Sequence, residues 1–310
     1  MTTLLYTHPV CVEHDPGLRH PECPERLKAI EKALGTEAFA ALDRRLAPKA
    51  DISQLELAHA PSYVKAVLNA APAPDSGIVH LDGDTAMSAA SGEAALRAAG
   101  AACAAVDAVA AGVARNAFCA VRPPGHHAEH SRAMGFCLFN NVVVGALHAR
   151  HKCGLQRVAV VDFDVHHGNG TQHSFEDDGD LFFASSHQYP CYPGSGSERE
   201  RGVGNIVNAP LPPGSASKEF RAAWTRLILP ALSNFAPQII LISAGFDAHA
   251  DDPLAQLTLS EDDFAWVTRE ILSVAEGCCD GRVVSTLEGG YNLDALGRSV
   301  AAHVGALMEG

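Results

Sequence analysis

Short apolar runs recur along this chain between longer stretches of helical periodicity. Five of them read as strands: Phe118 to Val121, Arg157 to Val161, Leu181 to Ser185, Ile239 to Ser243 and Arg282 to Thr286. They are continuously apolar rather than alternating, as expected of parallel strands covered on both faces. Helical patterns fill the intervals, over Gly92 to Gly112, Asn141 to Lys152, Ser217 to Asn234, Glu261 to Gly277 and Asp294 to Met308. Ser260-Glu261-Asp262-Asp263 has the form of a capping box at one helix start. The alternation predicts an α/β fold with a parallel sheet between helical layers. Pro-rich spots such as Ala71-Pro72-Ala73-Pro74 and Pro212-Pro213-Gly214 are loop-sized, and no repeat divides the chain, so one domain over residues 1–310 is expected.

Four apolar runs end in unusual polar residues. The most abrupt is Val160-Val161-Asp162-Phe163-Asp164-Val165-His166-His167-Gly168, where alternate side chains of an extended segment would place Asp162, Asp164 and His166 on one face. The others are Arg122-Pro123-Pro124-Gly125-His126-His127, Ser243-Ala244-Gly245-Phe246-Asp247 and Leu287-Glu288-Gly289-Gly290-Tyr291. Any one turn is explicable as a loop or a helix-capping acid. Open parallel sheets, however, bind ligands beyond the carboxyl ends of their strands, and four such ends together point to a site.

The residue types suggest its chemistry. Asp164, His166 and Asp247 would give a metal two carboxylates and one imidazole, with room left for water and a substrate carbonyl. A cation so held polarises a carbonyl and lowers the pKa of its water toward about 7. The donor set suits Zn²⁺ and also accepts Fe²⁺ or Co²⁺. His126 and His127 supply two imidazoles for moving protons, with Asp162 and Asn169 available to orient them. Tyr291, after two glycines, can donate its hydroxyl to a developing oxyanion; an ordinary half-buried tyrosine is the plain alternative.

Composition narrows the partners. A formal charge of −13 disfavours nucleic acid and suits a cationic ligand. The N-terminus shows no basic stretch followed by a long apolar one, and the most apolar region, Ala98 to Val121, carries Asp107 and Arg115. A soluble protein is expected. Nine cysteines without Cys-x-x-Cys spacing indicate neither a disulfide framework nor a thiolate metal site, so a reducing, cytoplasmic setting is expected. Cys137 reads as a small buried hydrophobe.

These four segments, with Gly135-Phe136-Cys137-Leu138-Phe139-Asn140-Asn141 and Asp252-Pro253-Leu254, resemble the zinc-dependent histone deacetylase family, in its class II and bacterial histone deacetylase-like amidohydrolase branch. The likeness runs from about Cys23 to the C-terminus. It implies an arginase/deacetylase fold with a central parallel sheet of about eight strands. It also implies one Zn²⁺ on Asp164, His166 and Asp247, with His127 as the main base and acid and His126 as its electrostatic companion. Asp162 would pair with His126 and Asn169 with His127; many class I relatives carry an aspartate at the latter place. Tyr291 matches the transition-state tyrosine. Phe136 and Tyr192 resemble the walls of an acyl-lysine tunnel, and the Gly135 carbonyl resembles the acceptor of the substrate amide proton. Asp162, Asp164, His166, Ser185 and Ser186 resemble the shell of a structural K⁺.

The implied substrate is an acylated lysine in a peptide or protein. Polyamine deacetylases of this fold place an acidic gatekeeper where Leu254 stands, although an acid from another loop could replace it, and Glu22, Glu25 and Glu129 are rim candidates. His14 and His20 read as loop-structuring. Two further readings remain open. Asp247-Ala248-His249-Ala250-Asp251 mimics the Asp-x-His-x-Asp motif of dinuclear ureohydrolases, and a non-catalytic acyl-lysine reader would keep the pocket without hydrolysis.

Overall fold

A computed structural model describes residues 2–310. Among these residues, eight strands form one sheet: β1 (Thr3–Thr7), β2 (Asp43–Leu46), β3 (Asn116–Cys119), β4 (Val158–Asp162), β5 (Leu181–Gln188), β6 (Ile206–Leu211), β7 (Ile239–Ala244) and β8 (Val283–Leu287). Their spatial order is β2-β1-β3-β8-β7-β4-β5-β6, and every pairing is parallel. The fold is the arginase/deacetylase α/β architecture. Strands β3, β4, β5, β7 and β8 are buried throughout, which explains their unbroken apolar runs. The four strands that end in polar chemistry, β3, β8, β7 and β4, are consecutive neighbours. Their carboxyl ends therefore open onto one place.

Alanine in the helix Ser91–Ala110 lets it lie close to its surroundings; a Cβ on Gly100 would collide with the backbone of Pro48 to Ala50. The Asp263 carboxylate accepts from Ser260 N at 3.1 Å and starts the helix Glu261–Cys279 as its sequence indicates. The helix expected over Ser217 to Asn234 is broken: α-helix covers Ser217–Ala223 and Leu229–Phe235, with a π turn at Trp224–Ile228 between them. Pro230 lacks the N–H that would bond the Arg226 carbonyl and would clash with it, and the wider turn accommodates both defects. No helix among the described residues is long and apolar enough to cross a membrane.

A buried ion network joins the N-terminal segment to the site. Glu22, Arg26 and Arg122 are each 0% exposed. Arg122 Nη2 donates to Glu22 Oε2 at 2.7 Å and Arg26 Nη1 to Glu22 Oε1 at 2.9 Å. Burial alone would raise the Glu22 carboxyl, but Arg122, His14 and Arg26 hold it well below the usual range. Because the folded value is depressed, this stabilisation is complete above the ordinary glutamate range and is lost as pH falls through the folded value. Glu22→Ala strands two buried guanidinium groups and is expected to destabilise the fold by about 3–5 kcal/mol. Equilibrium urea unfolding at neutral pH checks this; a change under about 1 kcal/mol would show that the network carries little stability.

Candidate active site

The loop after β4 turns its acids inward by local hydrogen bonds. Asp162 Oδ1 accepts from Asp164 N at 3.0 Å, and Asp164 Oδ1 accepts from His166 N at 2.8 Å. Asp164 Oδ2 accepts from Gly289 N at 2.8 Å, while Asp247 Oδ1 accepts from Val165 N at 2.9 Å. His166 Nδ1 then lies 3.0 Å from Asp164 Oδ1 and 3.1 Å from Asp247 Oδ2. One donor atom from each of these three residues falls within 4.8 Å of the others. Two glycines make room: a Cβ on Gly245 would strike the Asp164 carboxylate, and one on Gly289 would strike those of Asp247 and Asp164. Two buried carboxylates and an imidazole converging in a cradle of glycines fit a divalent cation.

The histidine pair sits beside this cluster. His126 Nδ1 donates to Asp162 Oδ2 at 2.9 Å, and His127 Nδ1 donates to Asn169 Oδ1 at 2.8 Å. Both pairings match expectation. Burial pushes the His126 imidazole down, but Asp164 and Asp162 more than reverse this and set it at about 10. Burial, followed by the neighbouring charge on His126 and His166, holds His127 well below its ordinary value. Two adjacent imidazoles are thus driven apart, one cationic and one neutral at pH 7.

A pocket of about 220 Å³ joins these groups to solvent, lined by Asp84, His127, Gly135, Phe136, His166, Tyr192, Leu254 and Tyr291. Tyr192 meets the His127 ring edge-on at 5.1 Å, and Phe136 meets Tyr291 at 5.9 Å. Gly135 and Phe136 both have left-handed backbone, at φ +56° and +67°. Gly135 N donates to Asp84 Oδ1 and Phe136 N to Thr85 Oγ1, each at 3.1 Å, which holds that conformation. Leu254, 39% exposed, stands at the mouth. Tyr291 N donates to Asp252 Oδ2 at 2.7 Å, and the Arg26 guanidinium lies 4.9 Å above the tyrosine ring. Ser185 pairs with Asp162 across β4 and β5 and bonds His187 Nδ1 at 2.9 Å, while Ser186 Oγ accepts from Trp224 Nε1.

The acids named as rim candidates are elsewhere. Glu22 is the buried centre of the arginine network, Glu25 faces solvent beside Lys28, and Glu129 accepts from Asn169 Nδ2 behind His127. The acid that does line the pocket is Asp84, on the turn between Val79–His80 and Ala86–Met87. Glu288 has a role that its strand-end motif alone does not reveal: its buried carboxylate accepts from Gly125 N at 2.7 Å and His126 N at 3.1 Å and so pins the histidine turn. Burial raises that carboxyl to about 7. An acid that ends an apolar run directly before a double glycine is the signal the sequence offers. Of the ureohydrolase-like motif, only Asp247 enters the cluster: His249 sits 3.4 Å from Glu261 and Asp251 bonds Arg298 at 3.3 Å. His14 and His20 fasten the N-terminal loop, His14 to Ser91 at the start of a helix at 2.7 Å and His20 to the Asp84 carbonyl at 3.2 Å. All nine cysteines are free, and Cys137 is buried as expected.

A parallel sheet whose adjacent strand ends build such a pocket defines the arginase/deacetylase class of α/β proteins. Within that class the chain belongs to the histone deacetylase family, whose histone deacetylase domain matches residues 20–307. It is 39% identical over 328 residues to "Histone deacetylase 14, chloroplastic" of Arabidopsis thaliana, covering 98% of this chain and 76% of that protein. It is 40% identical over 279 residues to a "Histone deacetylase-like amidohydrolase" of Pseudomonas aeruginosa, covering 88% and 73%. Among solved structures, the crystal structure of the HDA15 HD domain superposes with a TM-score of 0.94 at 33% identity, covering 99% of this chain and 88% of that one. The chain is therefore a hydrolase of the histone deacetylase family, in keeping with its bacterial amidohydrolase branch.

Proposed function

We propose that the protein is a Zn²⁺-dependent amide hydrolase that removes acetyl or other acyl groups from lysine side chains, with one catalytic domain spanning residues 1–310. The observation that carries this reading is the convergence of His127, Tyr291 and His166 on one aromatic-walled pocket, with His166 grouped with Asp164 and Asp247 in one donor set. When bound, Zn²⁺ on those three residues supplies Lewis acidity toward a carbonyl and water. The four-carbon stem of the substrate lies between Phe136 and Tyr192, whose faces bury its methylenes, and the Gly135 carbonyl accepts the amide N–H. His127, neutral and held by Asn169, takes the proton of the attacking water and passes it to the leaving amine. His126, paired with Asp162, keeps its charge beside the developing negative charge. Tyr291 donates its hydroxyl to the oxygen that gains that charge. A K⁺ held by Asp162, Asp164, His166, Ser185 and Ser186 would reinforce the loop after β4.

Asp84 favours a second substrate reading. Its carboxylate at the pocket suits the distal ammonium of an acetylated polyamine, a service the apolar Leu254 does not provide. The free thiols suit a reducing compartment, the cytoplasm being our assignment. The decisive assay is a panel of acetyl-lysine peptides, longer acyl-lysines and acetylated polyamines, each with and without a hydroxamate chelator. Chelator-sensitive turnover of acyl-lysine peptides is expected. Preference for polyamines would select the second reading, and inertness toward every member would overturn both.

A further inference from the structure

His127 is tied into the protein through an amide, and an amide has two unlike ends. Asn169 Oδ1 faces His127 Nδ1 at 2.8 Å. At the other end, Nδ2 has Glu129 Oε1 at 2.9 Å, with the His127 carbonyl and Met134 Sδ each at 3.4 Å. All three are acceptors. Turning the amide over would set Oδ1 against the Glu129 carboxylate with no proton between them, and would press Nδ2 toward Nδ1. A ring facing Nδ2 must present a bare Nδ1, which moves its proton to Nε2. An aspartate at 169 would accept from Nδ1 through either oxygen and need no such selection. The asparagine does need it.

We propose that Glu129 is a positioning residue: by accepting from Asn169 Nδ2 it fixes the amide, and thereby holds His127 in the Nδ1–H tautomer with the Nε2 lone pair free for proton transfer. The inference rests on the reading of His127 as general base. Glu129 does not line the substrate pocket. Together with Asn169, Met134 and Arg132 it borders a separate cavity of about 290 Å³. Its effect should therefore fall on turnover and spare substrate binding.

The test is the ¹⁵N spectrum of histidine-labelled protein, with the His127 signals assigned by their loss in His127→Ala. The intact chain should show a protonated Nδ1 and a bare Nε2. In Glu129→Ala the His127 signals should move toward the Nε2–H form, and kcat should fall by about 10- to 100-fold with KM little changed. Glu129→Gln, whose carbonyl oxygen can still accept from Asn169, should recover most of both. The double variant Asn169→Asp/Glu129→Ala should regain the Nδ1–H form without any acid at 129. A merely structural role would leave the tautomer alone. An unaltered tautomer and kcat in Glu129→Ala, or an Nε2–H form in the intact protein, would overturn the proposal. The tautomer is read without substrate, so failure of the whole acyl panel would sink the functional reading and leave this measurement to decide the relay by itself.

Discussion

Replacing His127 with alanine is expected to lower kcat on an acetyl-lysine peptide by about 10²- to 10⁴-fold, with KM changed only slightly. Of the two adjacent imidazoles it is the one that lines the pocket and that its surroundings keep neutral. Its Nδ1 proton is committed to Asn169, and its neighbour His126 is held cationic by Asp164 and Asp162. Burial and the charge around it push His127 well below its ordinary value, and a bound divalent cation pushes the same way. The sign follows: a base with a depressed pKa stays unprotonated at neutral pH, so kcat/KM should hold from neutrality well into mild acid and fall only as His127 gains its proton. His126→Asn should cost less, since that ring contributes charge and moves no proton. Steady-state rates for both variants decide the assignment of roles. If His127→Ala retained turnover within a few-fold of the parent, the base would have to be sought elsewhere.

The parts of this site that were legible in the sequence are those where chemistry interrupts an apolar run. Asp162 closes β4 and Phe163 to His167 follow it without a break, and a buried strand offers no surface reason for two acids and two histidines, so their purpose had to lie at its end. The same holds for His126-His127, Asp247 and Tyr291. Three strands of the main sheet were not legible. β2 is short and charged, with Asp43, Arg44 and Arg45 on a sheet edge, where such residues discourage further pairing, and it carries no apolar signal. β6, at the other edge, alternates only partly and contains Pro210. β1 was too close to the terminus to be framed by helical patterns. The supporting polar contacts were hidden for a different reason. Arg26 bonds the Gly290 carbonyl across 264 residues, and Glu22 meets Arg122 across 100. Local pattern carries no information about such pairs. A charged residue reads as exposed until its partner is seen, which is why Glu22 and Glu129 read as rim candidates.

Changing Asp247 to asparagine separates the metal from the fold. The cluster sets two buried carboxylates against one imidazole, and burial together with the Asp164 charge raises the Asp247 carboxyl above its ordinary value. In metal-free protein that strain favours protonation; a divalent cation removes it by neutralising both acids and releases protons on binding. The parent should therefore take up one tightly held ion per chain and gain about 2.7 kcal/mol of stability at a free metal concentration a hundredfold above Kd. In Asp247→Asn the side-chain oxygen can still accept from Val165 N, so the loop contact is kept while one anionic donor is lost. Activity should drop below detection and the metal-dependent rise in Tm should vanish. The metal-free Tm should stay close to that of the metal-free parent, because the repulsion from Asp164 and the ion pair with His166 are lost together. Metal analysis after dialysis and calorimetry with Zn²⁺ or a chelator read these outcomes separately. A variant that still held one ion tightly and hydrolysed acyl-lysine would show that the charge of Asp247 is not needed for the metal centre.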